Sequence, residues 1–259
     1  MMESSMKSSI EVQDVSVGYE DKTEKFIALS HASLMLPHGT VCAVIGPSGC
    51  GKSTLLRVIA GLQKPLEGKV LIGGHEVNPQ EQKIGFIPQN YGLLPWDTVK
   101  ENILLGCQVR GEMNATVEKR LEAMMKQLGI DGLEQRYPRE LSGGQQQRVG
   151  LARSFLLNPD VLLMDEPFSA LDAITREDMQ EVFLQLWRKQ AVTTVLVTHY
   201  VEEALYLGQR IVLMSAGPGR IAEIMDNPLF GEAQARKSNA FFDMGRVLRE
   251  KIKEAGADI

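Results

Sequence analysis

One glycine-rich stretch decides the fold of this chain, and it is Gly46-Pro47-Ser48-Gly49-Cys50-Gly51-Lys52-Ser53-Thr54. It matches the pattern G-x-x-x-x-G-K-[ST] at every specified position. Residues 40–45 before it form a short apolar, β-branched run, and residues 55–60 after it favour a helix. Because a phosphate-binding loop connects a strand to a helix, this context predicts such a loop here.

The residue types in this loop suit a nucleoside triphosphate. Glycines let the backbone N–H groups turn towards phosphates, and the following helix presents the positive end of its dipole to them. Lys52 is predicted to reach the β- and γ-phosphates, and the Ser53 hydroxyl is predicted to bind Mg²⁺.

Length and composition limit the remaining possibilities. With 259 residues, of which 44% are hydrophobic, the chain suffices for one large α/β domain or a domain with a subdomain. A net charge of −5 argues against a general nucleic-acid binder, since phosphate contacts require clustered Lys and Arg. The three cysteines lack metal-ligand spacing and are expected to be reduced thiols. Residues 1–9 are predicted to be a frayed tail, and no transmembrane helix is predicted.

Polar side chains follow three predicted strands, at the point where each strand ends. The strands span residues 84–88, 161–164 and 192–197. Asp165 is predicted to associate with Mg²⁺, and Glu166 to act as the base or to orient water. Ligands of open α/β sheets bind outside these strand ends. His199, the third polar group at this edge, is therefore predicted to contact the γ-phosphate. Gln89 either faces metal and water or is a solvated loop residue.

The stretch Leu141-Ser142-Gly143-Gly144-Gln145 precedes a helix predicted over residues 146–157. Ser142 and Gln145 fit a capping box, so helix initiation alone explains these two residues. It does not explain two glycines in the first turn, where helix propensity is poor. Uncovered N–H groups at a helix end suit an anion, which is the second interpretation.

Three further features have two interpretations each. Tyr19, between the first two predicted strands, either stacks on an adenine ring or is an ordinary surface tyrosine. A helix predicted over residues 239–255 packs on the domain or on a partner. The apolar side chains after Gln89 either dock a membrane partner or pack between a helical subdomain and the sheet. These side chains are Tyr91, Leu93, Leu94 and Trp96.

The order and spacing of these motifs resemble those of ABC-transporter ATP-binding subunits, over all but about the last thirty residues. The resemblance implies an α/β phosphate-loop NTPase fold of the ABC ATPase type, with a mixed sheet core, an antiparallel β subdomain and an inserted helical subdomain. The expected divisions of this single domain are a catalytic core with β subdomain at 10–89 and 160–226, a helical subdomain at 90–159 and a C-terminal extension at 227–259.

In this family the resemblance implies ATP hydrolysis with Mg²⁺ by a head-to-tail dimer. Each ATP is expected between the phosphate loop of one copy and the segment from Ser142 to Gln145 of the other. An aromatic residue at the position of Tyr19 stacks on adenine. Glu166 matches the catalytic base and His199 the switch histidine, while Asp172 lies in the loop that links the two sites.

A finer resemblance, to importers of nitrate, sulfonate, taurine and related compounds, lies in residues 93–99, 165–172, 175–176, 198–199, 202–207 and 214–220. It implies a peripheral subunit at the cytoplasmic face of the membrane, with transmembrane permease subunits as partners and an extracytoplasmic solute-binding protein as an indirect one. The alternative is a soluble ABC-type ATPase in DNA maintenance or translation, disfavoured by the acidic charge and by the single cassette without a long coiled-coil insertion. A non-enzymatic nucleotide-binding assembly protein is disfavoured by Glu166 and His199.

Overall fold

The computed structural model describes residues 8–20, 25–232 and 234–257. The strands in these ranges are β1 (Ile10–Glu20), β2 (Lys25–Leu36), β3 (Val41–Ile45), β4 (Glu67–Ile72), β5 (His75–Glu76), β6 (Ile84–Ile87), β7 (Val161–Asp165), β8 (Thr193–Val197), β9 (Arg210–Met214) and β10 (Ile221–Asp226). The α-helices there are α1 (Lys52–Ile59), α2 (Val99–Val109), α3 (Ala115–Gln127), α4 (Gly143–Leu156), α5 (Ala173–Gln190), α6 (Val201–Leu207) and α7 (Asn239–Ala257).

A six-stranded sheet forms the centre of the molecule, in the order β10-β9-β3-β8-β7-β6. The strands from β9 to β6 run parallel, and β10 pairs antiparallel with β9 at the edge. Strands β3 and β8 are buried along their whole length. Parallel strands covered on both faces need uninterrupted apolar runs, which explains the composition of these segments.

Successive side chains of the central strands enter two different hydrophobic cores. On β3, Cys42 and Val44 pack with α1 and with the antiparallel sheet, whereas Val41, Ala43 and Ile45 pack with the helices on the opposite face. This division follows from the two-residue period of a strand. The parallel sheet is therefore packed on both faces, and the carboxyl ends of its strands have defined positions.

The second sheet is antiparallel, in the order β2-β1-β4-β5. It covers α1 and one face of the central sheet through the second of the two cores. Its first hairpin places Tyr19 directly opposite Phe26. The short strand β5 and the helix α6 are elements that the sequence did not predict.

The inserted helical part lies between β6 and β7 and consists of α2, α3 and α4. The helical pattern over residues 97–127 divides into two helices at Gly111, whose φ is +67°. Asn114 caps the start of α3, because its Oδ1 accepts hydrogen bonds from Thr116 N and Val117 N (2.9 and 3.0 Å).

The C-terminal helix α7 packs on its own domain. Phe241 and Leu248 belong to the core under α6, and Ala216 N donates to Ala255 O (2.9 Å). Phe242 and Val247, two other apolar residues of this helix, are 65% and 44% exposed, so a contact of this side with a partner stays a prediction. Amphipathic spacing predicted the helix but did not identify the extent of its buried stripe.

The N-terminal prediction is partly wrong. Residues 1–7 lie outside the described residues, whereas Ser8 and Ser9 are buried, and Ser9 O accepts a hydrogen bond from Gly73 N (2.8 Å). The three cysteines are free and buried, in agreement with the prediction of reduced thiols. Among the described residues, no helix combines the length and the apolar character that crossing a bilayer requires.

Candidate nucleotide-binding site

The loop between β3 and α1 has the backbone conformation of a phosphate-binding loop. Gly51 lies immediately before α1 with φ +88°, and a Cβ atom there would lie 2.7 Å from Ala28 O. Only glycine meets both constraints without strain. No described side chain caps the start of α1, so its first N–H groups face outwards and are suited to an anion.

Lys52 is almost buried within this loop, with 8% of its surface exposed. Its Nζ atom donates to Gly46 O (2.9 Å) and to Pro47 O (2.7 Å). Phosphate oxygens accept stronger, charge-assisted hydrogen bonds than backbone carbonyls do. The ammonium group is therefore placed where an anionic ligand can take over these bonds.

Ser53 and Asp165 are brought together from α1 and from the end of β7. The Ser53 hydroxyl donates to Asp165 Oδ1 (3.0 Å). Burial raises the pKa of Asp165, and the neighbouring Glu166 raises it further, while the Ser53 hydrogen bond opposes both. A hydroxyl oxygen and a partly buried carboxylate are hard ligands, which fit a Mg²⁺ ion completed by phosphate oxygens and water.

Glu166 receives contacts from both neighbouring strands. Its Oε2 atom accepts a hydrogen bond from Gln89 Nε2 (3.2 Å) and lies 3.2 Å from His199 Nδ1. The order β8-β7-β6 in the sheet explains this meeting, since parallel strands end at one edge. The three side chains surround the position where a general base and an attacking water are needed.

The backbone of Glu166 has the left-handed conformation, with φ +47°. Such a conformation costs free energy for a residue with a Cβ atom and persists only where the surroundings enforce it. Here Glu166 N donates to Val197 O (3.0 Å) and the Ser169 hydroxyl donates to Glu166 O (2.9 Å). These bonds hold the carboxylate at the edge of the sheet.

Gln89 does not bond to the Ser53–Asp165 pair, because its amide faces Glu166. Its predicted role as a magnesium ligand therefore stays a prediction. The interpretation as a merely solvated loop residue is less favourable now that the amide has a partner at the site.

A cavity of about 360 Å³ joins these groups. It is lined by Ser48, Gly49, Cys50, Gly51, Lys52, Ser53 and Thr54 of the loop, by Glu166 and His199, and by Tyr19, Phe26 and Ala28. Tyr19 is 41% exposed, and its hydroxyl lies 3.2 Å from Thr54 Oγ1 and donates to Gln63 Oε1 (3.0 Å). These bonds fix the ring beside the phosphate loop.

Phe26 is a lining residue that sequence reasoning missed. It is 59% exposed and stands opposite Tyr19 in the hairpin. Two exposed aromatic side chains at one end of a phosphate-binding cavity are suited to a planar base. The available signal was an aromatic residue just before the predicted second strand, but only the register shows that it faces the site.

The segment from Ser142 to Gln145 lies at the start of α4 and does not line this cavity. Both halves of the predicted capping box are present: Gln145 N donates to Ser142 Oγ (3.3 Å), and Ser142 N donates to Gln145 Oε1 (2.9 Å). Ser142 and Gly143 are exposed. The segment therefore takes no part in the nucleotide cavity of its own chain.

Asp172 ends the loop between β7 and α5 and caps that helix. Its carboxylate accepts hydrogen bonds from Thr175 N (3.1 Å) and from the Thr175 hydroxyl (2.7 Å). These bonds lower the pKa of Asp172. The methyl group of Thr175 would lie 3.1 Å from a Cβ atom at Gly144, so this loop and the glycine segment of α4 adjoin one another.

Comparisons with known proteins agree with this geometry. The family model described as ABC transporter matches residues 29–169. The aliphatic sulfonates import ATP-binding protein SsuB of Bacillus cereus is 39% identical over 248 residues, covering 96% of this chain and 97% of that protein. The taurine import ATP-binding protein TauB of Shigella sonnei is 45% identical over 201 residues, covering 76% and 77% respectively.

Solved structures are similar as well. A dimeric post-hydrolysis state of the ATP-binding cassette MJ0796 with ADP and Pi superposes with a TM-score of 0.74 at 32% identity, over 84% of this chain and 98% of that one. A second dimeric structure of MJ0796, titled as a bacterial ABC transporter cassette, has a TM-score of 0.74 at 33% identity over the same shares.

Proposed function

Because this chain belongs to the ABC transporter family and is an ATP hydrolase of that family, we propose that it energises the import of a small sulfonate, taurine or a related organic anion. The meeting of Gln89, Glu166 and His199 beside the phosphate loop carries the hydrolytic part of this proposal. The near-complete match to a sulfonate import protein favours this role over a soluble ATPase of DNA maintenance or translation.

In the proposed reaction, the loop amides and Lys52 bind the phosphates of ATP, while Tyr19 and Phe26 flank the adenine. Ser53 and Asp165 would hold Mg²⁺, which would supply positive charge to stabilise the transition state. Glu166 accepts a proton from the attacking water. His199 and Gln89 orient the Glu166 carboxylate, and His199 also contacts the γ-phosphate.

A second copy of the chain completes the proposed site. The segment from Ser142 to Gln145 starts a helix, is exposed at Ser142 and Gly143, and has no lining role in its own cavity. A head-to-tail pair would place this segment on the γ-phosphate bound to the partner copy. The dimeric MJ0796 structures support this arrangement.

A permease of the membrane is the proposed docking partner, and it places this chain at the cytoplasmic face. A groove of about 360 Å³ lies between β6 and the helical insertion. Its apolar lining includes Phe86, Leu105 and Val109, the last 79% exposed. Exposed apolar surface of this kind is typical of a protein contact.

The groove is linked to the site through the segment after Gln89. Arg153, one of the groove residues, donates to Tyr91 O (2.6 Å) and to Gly92 O (2.7 Å). A permease segment in the groove would therefore act on the same loop that carries Gln89. An extracytoplasmic solute-binding protein would act only indirectly, through the permease.

The test of the proposed function is reconstitution in lipid vesicles with the permease and the solute-binding protein of a sulfonate or taurine importer. ATP supplied on the side of the ATPase should drive uptake of radiolabelled taurine or an alkanesulfonate into vesicles, and Glu166→Gln should abolish it. Phosphate release without uptake of any sulfonate, taurine or nitrate would contradict the proposed solute class.

A further inference from the structure

A series of polar side chains in contact with one another, most of them buried, connects the C-terminal part of the molecule to the residue before His199. Its centre is Glu203 on α6, of which 2% is exposed. Glu203 Oε1 accepts a hydrogen bond from Gln180 Nε2 (2.9 Å). Burial raises the pKa of Glu203, and the Thr198 hydroxyl and the Gln180 amide beside the carboxyl group oppose that rise. Burial of a carboxyl group is costly unless its hydrogen bonds are made, so these contacts are strongly preferred.

Thr198 carries the chain of contacts to the histidine. Its hydroxyl accepts a hydrogen bond from Tyr200 N (3.0 Å), so Thr198 binds the backbone on the far side of His199 and also lies beside the Glu203 carboxyl group. Thr198 itself is 1% exposed. The backbone on both sides of His199 is thereby fixed from the interior.

On its outer side the chain of contacts ends at Arg236, in the short turn Ala235–Lys237 before α7. The Arg236 guanidinium donates to Gln180 Oε1 and lies over the Tyr206 ring, 3.7 Å from its centroid. A guanidinium only donates, and Glu203 Oε1 accepts from the Gln180 amide nitrogen. The Gln180 amide between them therefore has one favourable orientation, which transmits the position of Arg236 to Glu203.

The His199 ring needs such support because packing holds it on one side only. Its side chain is 46% exposed, and its contact with Glu166 is a single 3.2 Å approach. Tyr200 lies against it with ring centroids 4.0 Å apart, and Tyr200 is held in turn by Arg176, 4.1 Å above its ring. The direction of an exposed ring follows the backbone that carries it.

We propose that Glu203, Gln180 and Arg236 are positioning residues for His199, through which the C-terminal segment sets the rate of ATP hydrolysis. This inference rests on the proposed role of His199 at the γ-phosphate. Loss of the link shifts His199 relative to Glu166, and misplacement of a catalytic group by about 1 Å lowers turnover by as much as about 10²-fold.

The test measures kcat and nucleotide affinity separately. Glu203→Ala should lower kcat by about 10- to 100-fold, while the Kd for ATP changes by less than about twofold, because no residue of the phosphate loop is altered. Glu203→Gln retains a carbonyl acceptor for Gln180 and Thr198, so it should restore kcat to within about threefold of wild type.

Asn227→Ala is the matched control. Asn227 is 6% exposed and holds the other end of α6, where its Nδ2 donates to Leu205 O (2.7 Å) and Gly208 O (2.6 Å). Its removal should lower the unfolding temperature as Glu203→Ala does, yet leave kcat unchanged. Arg236→Met, which keeps the aliphatic stem but removes the donor, should lower kcat as Glu203→Ala does.

Wild-type kcat in folded Glu203→Ala, or an equal loss of kcat in Asn227→Ala, would overturn the inference and leave the proposed function intact. If Glu203→Ala does not fold, Thr198→Val breaks the same link with little change in volume, and wild-type kcat in that variant would equally overturn it. A wild-type chain without ATPase activity would overturn the proposed function together with the inference.

Discussion

Glu166 and His199 follow neighbouring parallel strands, and their side chains meet with His199 Nδ1 3.2 Å from Glu166 Oε2. The same oxygen accepts a hydrogen bond from Gln89 at 3.2 Å. A carboxylate that is positioned from both sides, next to a phosphate-binding loop, is arranged for a proton transfer at one defined place.

Lys52→Ala should weaken ATP binding rather than the chemical step alone. The Lys52 ammonium group lines the cavity, and charge-assisted hydrogen bonds to phosphate contribute about 1.5–3 kcal/mol, or about 10- to 150-fold in Kd. Calorimetric titration with ATP measures this change. Lys189→Ala, on the exposed side of α5, is the control, and equal affinities for both variants would remove Lys52 from the site.

Asp165→Asn should weaken magnesium binding while it stabilises the fold. Burial raises the pKa of Asp165 in the folded chain. The ionised carboxylate therefore destabilises the folded chain relative to the unfolded chain, and this destabilisation is complete at pH values above the folded pKa. At neutral pH without Mg²⁺, Asp165→Asn should therefore raise the unfolding temperature. The same variant should need more Mg²⁺ for half-maximal activity. A lower unfolding temperature in EDTA would show that the carboxylate stabilises the fold.

The composite site predicts rescue between two inactive variants. Lys52→Ala damages the phosphate loop and Ser142→Arg damages the α4 segment, so a mixed head-to-tail dimer has both lesions in one site and an intact second site. Mixing the two should raise ATPase activity above that of either alone, to at most about half of wild type per dimer. No rise, once mixed dimers are demonstrated by mass spectrometry, would contradict shared sites.

If the permease docks in the groove, a charged residue there should prevent permease binding without changing ATP binding. Val109→Glu places a charge on a side chain that is 79% exposed in the groove, so permease co-purification should be lost while ATP affinity and unfolding temperature stay at wild-type values. Val247→Glu on α7, at 44% exposure, is the control. Retention of the permease by Val109→Glu would place the docking surface elsewhere.

Of the apolar side chains after Gln89, some pack in the core and others are free to dock a membrane partner, which are the two interpretations that the sequence left open. Tyr91 is 4% exposed and contributes to the core, whereas Trp96 is 70% exposed. Tyr91→Glu should lower the unfolding temperature of the isolated chain, and Trp96→Glu should leave it unchanged while weakening the permease contact. Thermal unfolding of both variants distinguishes the two positions.

Much of the candidate site was predictable because its signals are local. The phosphate loop requires glycine at Gly51 and a cation at Lys52, and polar residues directly after buried strands predicted the edge where Glu166 and His199 lie. The ABC ATPase fold is confirmed by the family match and by the MJ0796 structures. The role of each site residue and the division into subdomains stay predictions.

The remaining features depend on pairings that the sequence does not display. Phe26 faces the cavity because of the hairpin register with Tyr19. The link from Arg236 through Gln180 to Glu203 joins three separate segments. Helix α6 escaped prediction because it has seven residues and no side-chain cap at Tyr200. In each case tertiary contacts determine a position for which local propensity gives no signal.

The central claim is that Glu166 is the general base in the hydrolysis of ATP bound at the phosphate loop. Its most direct test is phosphate release by Glu166→Gln, measured beside the Kd for ATP. The account predicts wild-type affinity and a turnover lower by about 10²- to 10⁴-fold, the usual contribution of a general base. Turnover by Glu166→Gln equal to that of the wild-type chain would contradict it.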